Sequence, residues 1–164
     1  MSKQFLVFLS AGLAIVGIII YVSLVFNKSS HVELEGNILK VRVLALNPNA
    51  SLVVADFRVK NPSGVRFVVK GVKLLLDPAS GGTIEAEPIS KVNLDNVFAY
   101  ERLIGPQYNP ALTLQDAVPP HGTIDRMAGA RFEAPASVIE SRKGLRMRID
   151  EVDGAEAVIA EKAR

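Results

Sequence analysis

The stretch Asp56 to Asp77, DFRVKNPSGVRFVVKGVKLLLD, constrains the fold of this 164-residue chain more than any other. Leading into it, Val53, Ala55, Phe57 and Val59 take every second position, with Asp56, Arg58 and Lys60 between them. Beyond Asn61-Pro62-Ser63-Gly64 the alternation resumes at Val65, Phe67 and Val69. A period of two marks a strand with one buried face, and a break bearing Pro and Gly between two such runs marks a turn. Asn61 can hydrogen-bond the backbone just beyond it, while Pro62 fixes φ and removes a donor, so the pair ends one strand and aims the next. The turn motif Asn61, Pro62 and Gly64 therefore reads as architecture.

The same periodicity continues along the chain. Val32 to Leu46 forms a first strand region with a bulge or kink expected at Gly36-Asn37, Asn47 to Ser51 is a turn, and Leu52 to Lys60 is the next strand. In the strand from Val65 to Asp77 the apolar set shifts near Lys70-Gly71, from Val65, Phe67 and Val69 to Val72, Leu74 and Leu76. Side chains alternate faces strictly, so the shift requires one inserted residue. Pro78 to Gly82 turns into a short strand around 83–89. Ile124 to Phe132 is a strand, Pro135 opens a short helical crossing as its first helical residue, and Leu145, Met147 and Ile149 alternate with Arg146, Arg148 and Asp150. Asp153-Gly154 then signals a hairpin into Ala155 to Glu161. About seven strands with regular turns, together with one or two short helices, predict a mainly β immunoglobulin/fibronectin-III-like sandwich.

Residues 90–120 depart from this rhythm. Asp95 is expected to cap a short helix carrying Val97, Phe98 and Leu103, which Gly105-Pro106 would end. A proline-bearing, partly apolar loop follows. As a functional element it would take a ligand or partner through Tyr100, Leu103, Tyr108, Leu112 and Leu114. As a packing element it would bury those same side chains over one open end of the sandwich, and this second reading is preferred.

Phe5 to Phe26, FLVFLSAGLAIVGIIIYVSLVF, carries no charge. As a helix it would be about 33 Å long, against a hydrocarbon core of about 30 Å, so it can span. A cleaved signal would have an apolar core of about 7–15 residues ending in small residues, whereas this run continues into Asn27-Lys28-Ser29-Ser30. The expected organisation is a tail over 1–4, a transmembrane anchor over 5–26, a linker over 27–31 and a sandwich domain over 32–162. Lys28, Lys40 and Arg42 outnumber Lys3, which taken alone favours a cytoplasmic domain. A short N-terminal tail favours the opposite, a cytoplasmic N-terminus with the domain extracytoplasmic, periplasmic if the source is bacterial.

Two lysines and no acid fall in the first thirty residues, so the remainder has 17 Lys+Arg against 17 Asp+Glu and is formally neutral. Neither a basic face nor interleaved aromatics mark a nucleic-acid partner. Without cysteine there is no disulfide, thiol catalysis or thiolate metal site. His31 and His121 are isolated, no nucleophile, zinc or phosphate-loop signature occurs, and Glu85 with Glu87 reads as a solvated edge. The expectation is a non-enzyme with no cofactor and no metal. Arg58, Lys60, Arg66, Lys70 and Lys73 offer a patch for anionic headgroups, worth about 1 kcal/mol per charge near the surface. Asp56 and Asp77 beside them favour an ordinary mixed-charge surface instead.

The strand, Asn61-Pro62 turn and apolar strand of VADFRVKNPSGVRFVVKGVKLLLD resemble the late-embryogenesis-abundant type 2 family, also called the water-stress and hypersensitive-response (LEA14-like) domain. VPPHGTIDRMAGARFEAP, Val118 to Pro135, is similar to that family's later Pro/Gly turn and strand, and the likeness covers residues 32–162. The segment from about 90 to 117 departs from the compact family pattern. The resemblance implies a membrane-anchored β-sandwich with a role in interaction or stress protection at the membrane surface. Two other classes remain open: a module that binds or transfers lipid or another hydrophobic ligand, and an accessory subunit of a larger membrane protein complex.

Overall fold

The computed structural model describes residues 12–22, 33–86 and 88–162. The chain divides into two units, Met1–His31 and Val32–Arg164. In the first, residues 12–22 form a helix, α1. The rest of the expected 5–26 span lies outside the described residues, and among the described residues no helix is long and apolar enough to cross a membrane.

The second unit is mainly β. Its strands are β1 Glu35–Asn47, β2 Ala50–Lys60, β3 Phe67–Asp77, β4 Ile84–Ala86, β5 Ala117–Val118, β6 Thr123–Phe132, β7 Gly144–Glu151 and β8 Glu156–Glu161. Two helices, α2 Lys91–Tyr100 and α3 Ala136–Glu140, and one 3₁₀ turn, Arg102–Ile104, complete it. The strand beyond the expected seven is β5, whose two residues are too few to leave a periodic pattern.

One hydrogen-bonded path runs β4-β3-β7-β8-β1-β2-β6, with β5 added to β3. Its neighbours are antiparallel except β1 and β8, which are parallel and joined, among the described residues, at Asn37↔Ala160 and Ile38↔Glu161. This narrow seam lets the sheet curl into two halves, β3/β7/β8 and β1/β2/β6. Their facing sides share one core that includes Phe57 of β2, Phe132 of β6, Phe67 and Leu74 of β3, Met147 of β7 and Ile159 of β8. The outer edge of β6 is also covered: the Ile89 N–H donates to Gly129 O at 2.7 Å and the Leu112 N–H to Met127 O at 2.8 Å. Covering a free edge in this way removes a template for aggregation.

Several local expectations are corrected. In β1 the register shifts between Ile38 and Lys40 rather than at Gly36-Asn37. Gly36 is needed for another reason, since a Cβ there would collide with the Arg58 carbonyl oxygen. The β3 shift does fall at Lys70, between Val69 and Gly71, but β3 begins at Phe67 and Val65 is exposed in the preceding turn. The strand expected over 83–89 shrinks to Ile84–Ala86. Ser90, not Asp95, caps α2: its side chain accepts from the Asn93 N–H at 3.2 Å, and Asp95 sits inside the helix 2.6 Å from Lys91. Leu103 lies beyond the helix, in the 3₁₀ turn that Gly105 ends at a φ of 77°. Pro135 occupies the cap position of α3 rather than its first turn.

The largest correction concerns residues 88–112. Every position of β2 from Ala50 to Phe57 is buried. Val53, Ala55 and Phe57 face the shared core, while Leu52 and Val54, with Leu44 of β1 and Met127 of β6, pack on Leu94 of α2, Ile104 and Ala111. The segment is therefore a strap across the outer face of β1/β2/β6, not a cover over one open end. The outer face of the other half carries ion pairs instead, including Arg146 on Asp77 at 2.7 and 2.8 Å.

Candidate functional site

Two polar assemblies fix the elements around the site. The first fastens the strap. Arg42 and Asp56 are neighbours on the covered face of β1 and β2, with side chains 9% and 4% exposed, and pair at 2.7 Å. Arg42 Nη1 also donates to Pro106 O at 2.8 Å and to Ile104 O at 3.2 Å, and Asn109 Nδ2 donates to Asp56 Oδ1 at 3.0 Å. The guanidinium lies 5.0 Å from the Phe98 ring centroid and 5.3 Å from that of Tyr108. A buried ion pair is tolerated only with such extra partners.

The second assembly is the Asn61 turn. Asn61 is fully buried. Its Nδ2 donates to Val65 O at 2.7 Å and to Val118 O at 3.2 Å, its Oδ1 accepts from Ser63 N at 3.0 Å and Oγ at 2.8 Å, and its own N–H donates to Gly122 O at 2.9 Å. The His121 N–H donates to Ser63 O at 3.1 Å. The turn around Asn61 and the later Pro/Gly turn are thus one knot, in which His121, at a φ of 54°, is a turn residue. Pro62 and Gly64 lie on its exposed side, and Gly64 has no positive φ.

Between the strap and β3 runs a groove of about 510 Å³. Its apolar wall is Val72, Pro88, Ile89, Leu112 and Leu114, and its charged groups are Lys70, Lys73, Lys91 and Asp150. Ser90 and Lys91 place the N-terminus of α2 at its rim, and no acid sits in the first turn of that helix to offset its positive end. The bulge at Lys70-Gly71 re-aims the side chains of β3 here, as bulges do beside binding sites.

Each expected site residue can now be placed. Leu112 is half-buried against the main core and Leu114 is exposed, both on the groove. Tyr100 at the end of α2 and Leu103 in the 3₁₀ turn after it, 81% and 88% exposed, stand outward, and Tyr108 is exposed with Lys40 Nζ 4.5 Å from its ring centroid. The expectation that all five bury themselves is met by Leu112 alone, because Leu94, Val97 and Phe98 already fill the space under the strap. The five basic residues do not form one patch. Arg58 is bidentate with Asp125 at 2.7 and 2.8 Å, Lys60 lies 3.9 Å from Glu35, and Lys73 lies 2.5 Å from Glu85. Arg66 and Lys70 are exposed. Arg58 and Lys60 belong to β2, while Lys70 and Lys73 belong to β3 in the other half of the sheet. His31 and Glu87 lie outside the described residues.

Glu151, at the end of β7, is a buried carboxyl that sequence reasoning passed over, although it falls on the same buried beat as Leu145, Met147 and Ile149. Burial, and then the nearby Asp153 carboxylate, push its pKa up, with the Val68 backbone opposing them. Between the unfolded and the folded value the folded chain therefore keeps this proton more readily than the unfolded chain. Its contribution to stability is complete below the unfolded value and disappears as pH rises through the folded one. Glu151→Gln is expected to melt above the parent at pH 7 and level with it near pH 4, as followed by circular dichroism. The surface acids run the other way: hydrogen bonds from Arg146, Lys73 and Arg58 hold Asp77, Glu85 and Asp125 below the usual carboxylate range.

Fold and site define a mainly β domain of the sandwich type, a curled sheet with a few short helices and a strap-bordered groove. No family model matches the chain, and no curated protein matches it. Among solved structures it is similar to an uncharacterized beta-sandwich protein from Clostridium difficile 630, at 13% identity over 79% of this chain and 86% of that one, with a TM-score of 0.39. It is also similar to a Northeast Structural Genomics Consortium target, at 11% identity over 81% and 82% of the two chains, with a TM-score of 0.35.

Proposed function

We propose that this protein is a non-catalytic, membrane-anchored β-sandwich that acts by interaction or protection at the membrane surface, as its resemblance to the late-embryogenesis-abundant type 2 family implies. Its domain is of immunoglobulin/fibronectin-III-like character and extracytoplasmic, periplasmic if the source is bacterial. The observation that carries this reading is the uncharged run Phe5 to Phe26, long enough for a bilayer and joined by residues 27–31 to the sandwich. The strap gives such a domain its contact surface, since Tyr100 and Leu103 hold large apolar groups out from the fold.

A second reading, a module that binds a hydrophobic ligand, is favoured by the groove beside the strap. The test takes full-length protein through alkaline carbonate extraction, followed by mild-detergent purification with mass spectrometry of co-purifying proteins and lipids. Retention in the membrane pellet is expected, together with activity of a periplasmic reporter fused after Arg164. Release by carbonate would overturn the anchor, and a reporter active only in the cytoplasm would overturn the orientation. A single stoichiometric protein partner would assign an assembly subunit, and a specific lipid without one would favour the second reading.

A further inference from the structure

We infer that the groove beside the β3 bulge holds a single-chain amphiphile with an anionic head, carboxylate or phosphate, its chain against Ile89, Leu112 and Leu114 and its head at Lys70. The inference rests on the hydrophobic-ligand reading above and names the ligand class. Three facts converge on it. The wall is aliphatic, so the contact is made by a chain rather than a stacked ring: among the described residues no aromatic side chain lines this groove. Ligand pockets span about 300–1,000 Å³, so about 510 Å³ suits one acyl chain better than a whole two-chain phospholipid.

The third fact is charge. Lys70, Lys73 and Lys91 line the groove with, among the described residues, Asp150 as the one acid of the lining, and the N-terminus of α2 adds positive potential. The other charged groups are already engaged, Lys73 with Glu85, Lys91 with Asp95 and Asp150 with Arg148 at 3.4 Å. Lys70 has no salt-bridge partner among the described residues, and as the extra residue of the bulge it is exposed beside the apolar wall. A lysine in that place suits an anionic head by charge and the adjoining chain by proximity.

The test uses full-length protein in phosphatidylcholine bilayer discs, labelled with a diazirine-bearing palmitate or with the matching alcohol, the crosslinks being mapped by peptide mass spectrometry. The palmitate probe is expected to label 88–91 and 112–114. Lys70→Glu should lower that labelling about tenfold, the scale of one charge-assisted contact. Lys70→Arg should preserve it, and Leu114→Ser, at an exposed position, should weaken it without unfolding the domain. Competition by laurate supports a free fatty acid as the source, and competition by lysophosphatidate supports a lysolipid. Equal groove labelling by the alcohol, indifference to Lys70→Glu, or labelling confined to 5–26 would each overturn the inference. Protein that stays in the discs while the groove goes unlabelled leaves the anchored-interaction reading intact, whereas protein lost from the discs overturns the anchor instead.

Discussion

Asp56→Leu is expected to destabilise the domain by about 3–5 kcal/mol, because it strands a buried cation. The Arg42 guanidinium would keep the carbonyls of Ile104 and Pro106 and the flanking Phe98 and Tyr108 rings, but lose the one carboxylate that pairs with it among the described residues. Arg42→Met reverses the problem and leaves a buried carboxylate with Asn109 as its remaining partner. The double variant Arg42→Met/Asp56→Leu should recover most of the loss, since apolar replacement of a whole buried pair is often neutral. Urea denaturation of the four proteins measures the coupling. A single-variant cost below about 1 kcal/mol, the range of exposed pairs, would show that the latch is solvated. Hydrogen exchange locates the damage: amides of the strap should open ahead of those between β3 and β7, whose core lies on the far side of β2.

That latch also shows what the sequence could and could not reveal. Alternation exposed β2, β3 and β7, because each has one face in the shared core and register is strongly specified there. It even placed the bulge at Lys70. The second layer was written in the same stretch, in the unbroken apolar run Leu52-Val53-Val54-Ala55, which marks a strand buried on both faces. Asp56 concealed it, because a charge on the outward beat reads as solvent-facing until Arg42, fourteen residues upstream, is known to meet it.

The strap itself is weakly patterned. In KVNLDNVFAY only Leu94 is fully buried, and both Ser90 and Asp95 satisfy the chemistry of a helix cap. Its place over β2 is set by contacts with Leu44, Leu52 and Val54 of β1 and β2, forty or so residues away, which local propensity does not encode. The groove was illegible for a similar reason: its walls come from 70–73, 88–91, 112–114 and Asp150, four places in the chain that only the fold brings together. Sequence reasoning had nonetheless named Lys70, Lys73, Leu112 and Leu114, in two unrelated roles.

Asn61→Ala should cost about 2–4 kcal/mol, far more than a change at the adjoining proline. Four side-chain hydrogen bonds disappear at a fully buried position, and a neutral hydrogen bond contributes about 1 kcal/mol net while a stranded buried acceptor costs about 1–3. Because Nδ2 bridges Val65 O and Val118 O, the loss should detach the turn before β3 from the turn before β6, so both should gain hydrogen exchange together. Asn61→Asp separates the two halves of the amide. It keeps an oxygen for Ser63 but turns the other against two carbonyls, so it should be destabilised at neutral pH nearly as much as alanine. Pro62→Ala alters only an exposed residue that restricts the unfolded chain, an effect of about 1 kcal/mol or less. Thermal melts of the three variants decide the matter: equal shifts at Asn61 and Pro62 would place the stability of the turn in chain stiffness, whereas the expected disparity places it in the buried amide that joins the two turns.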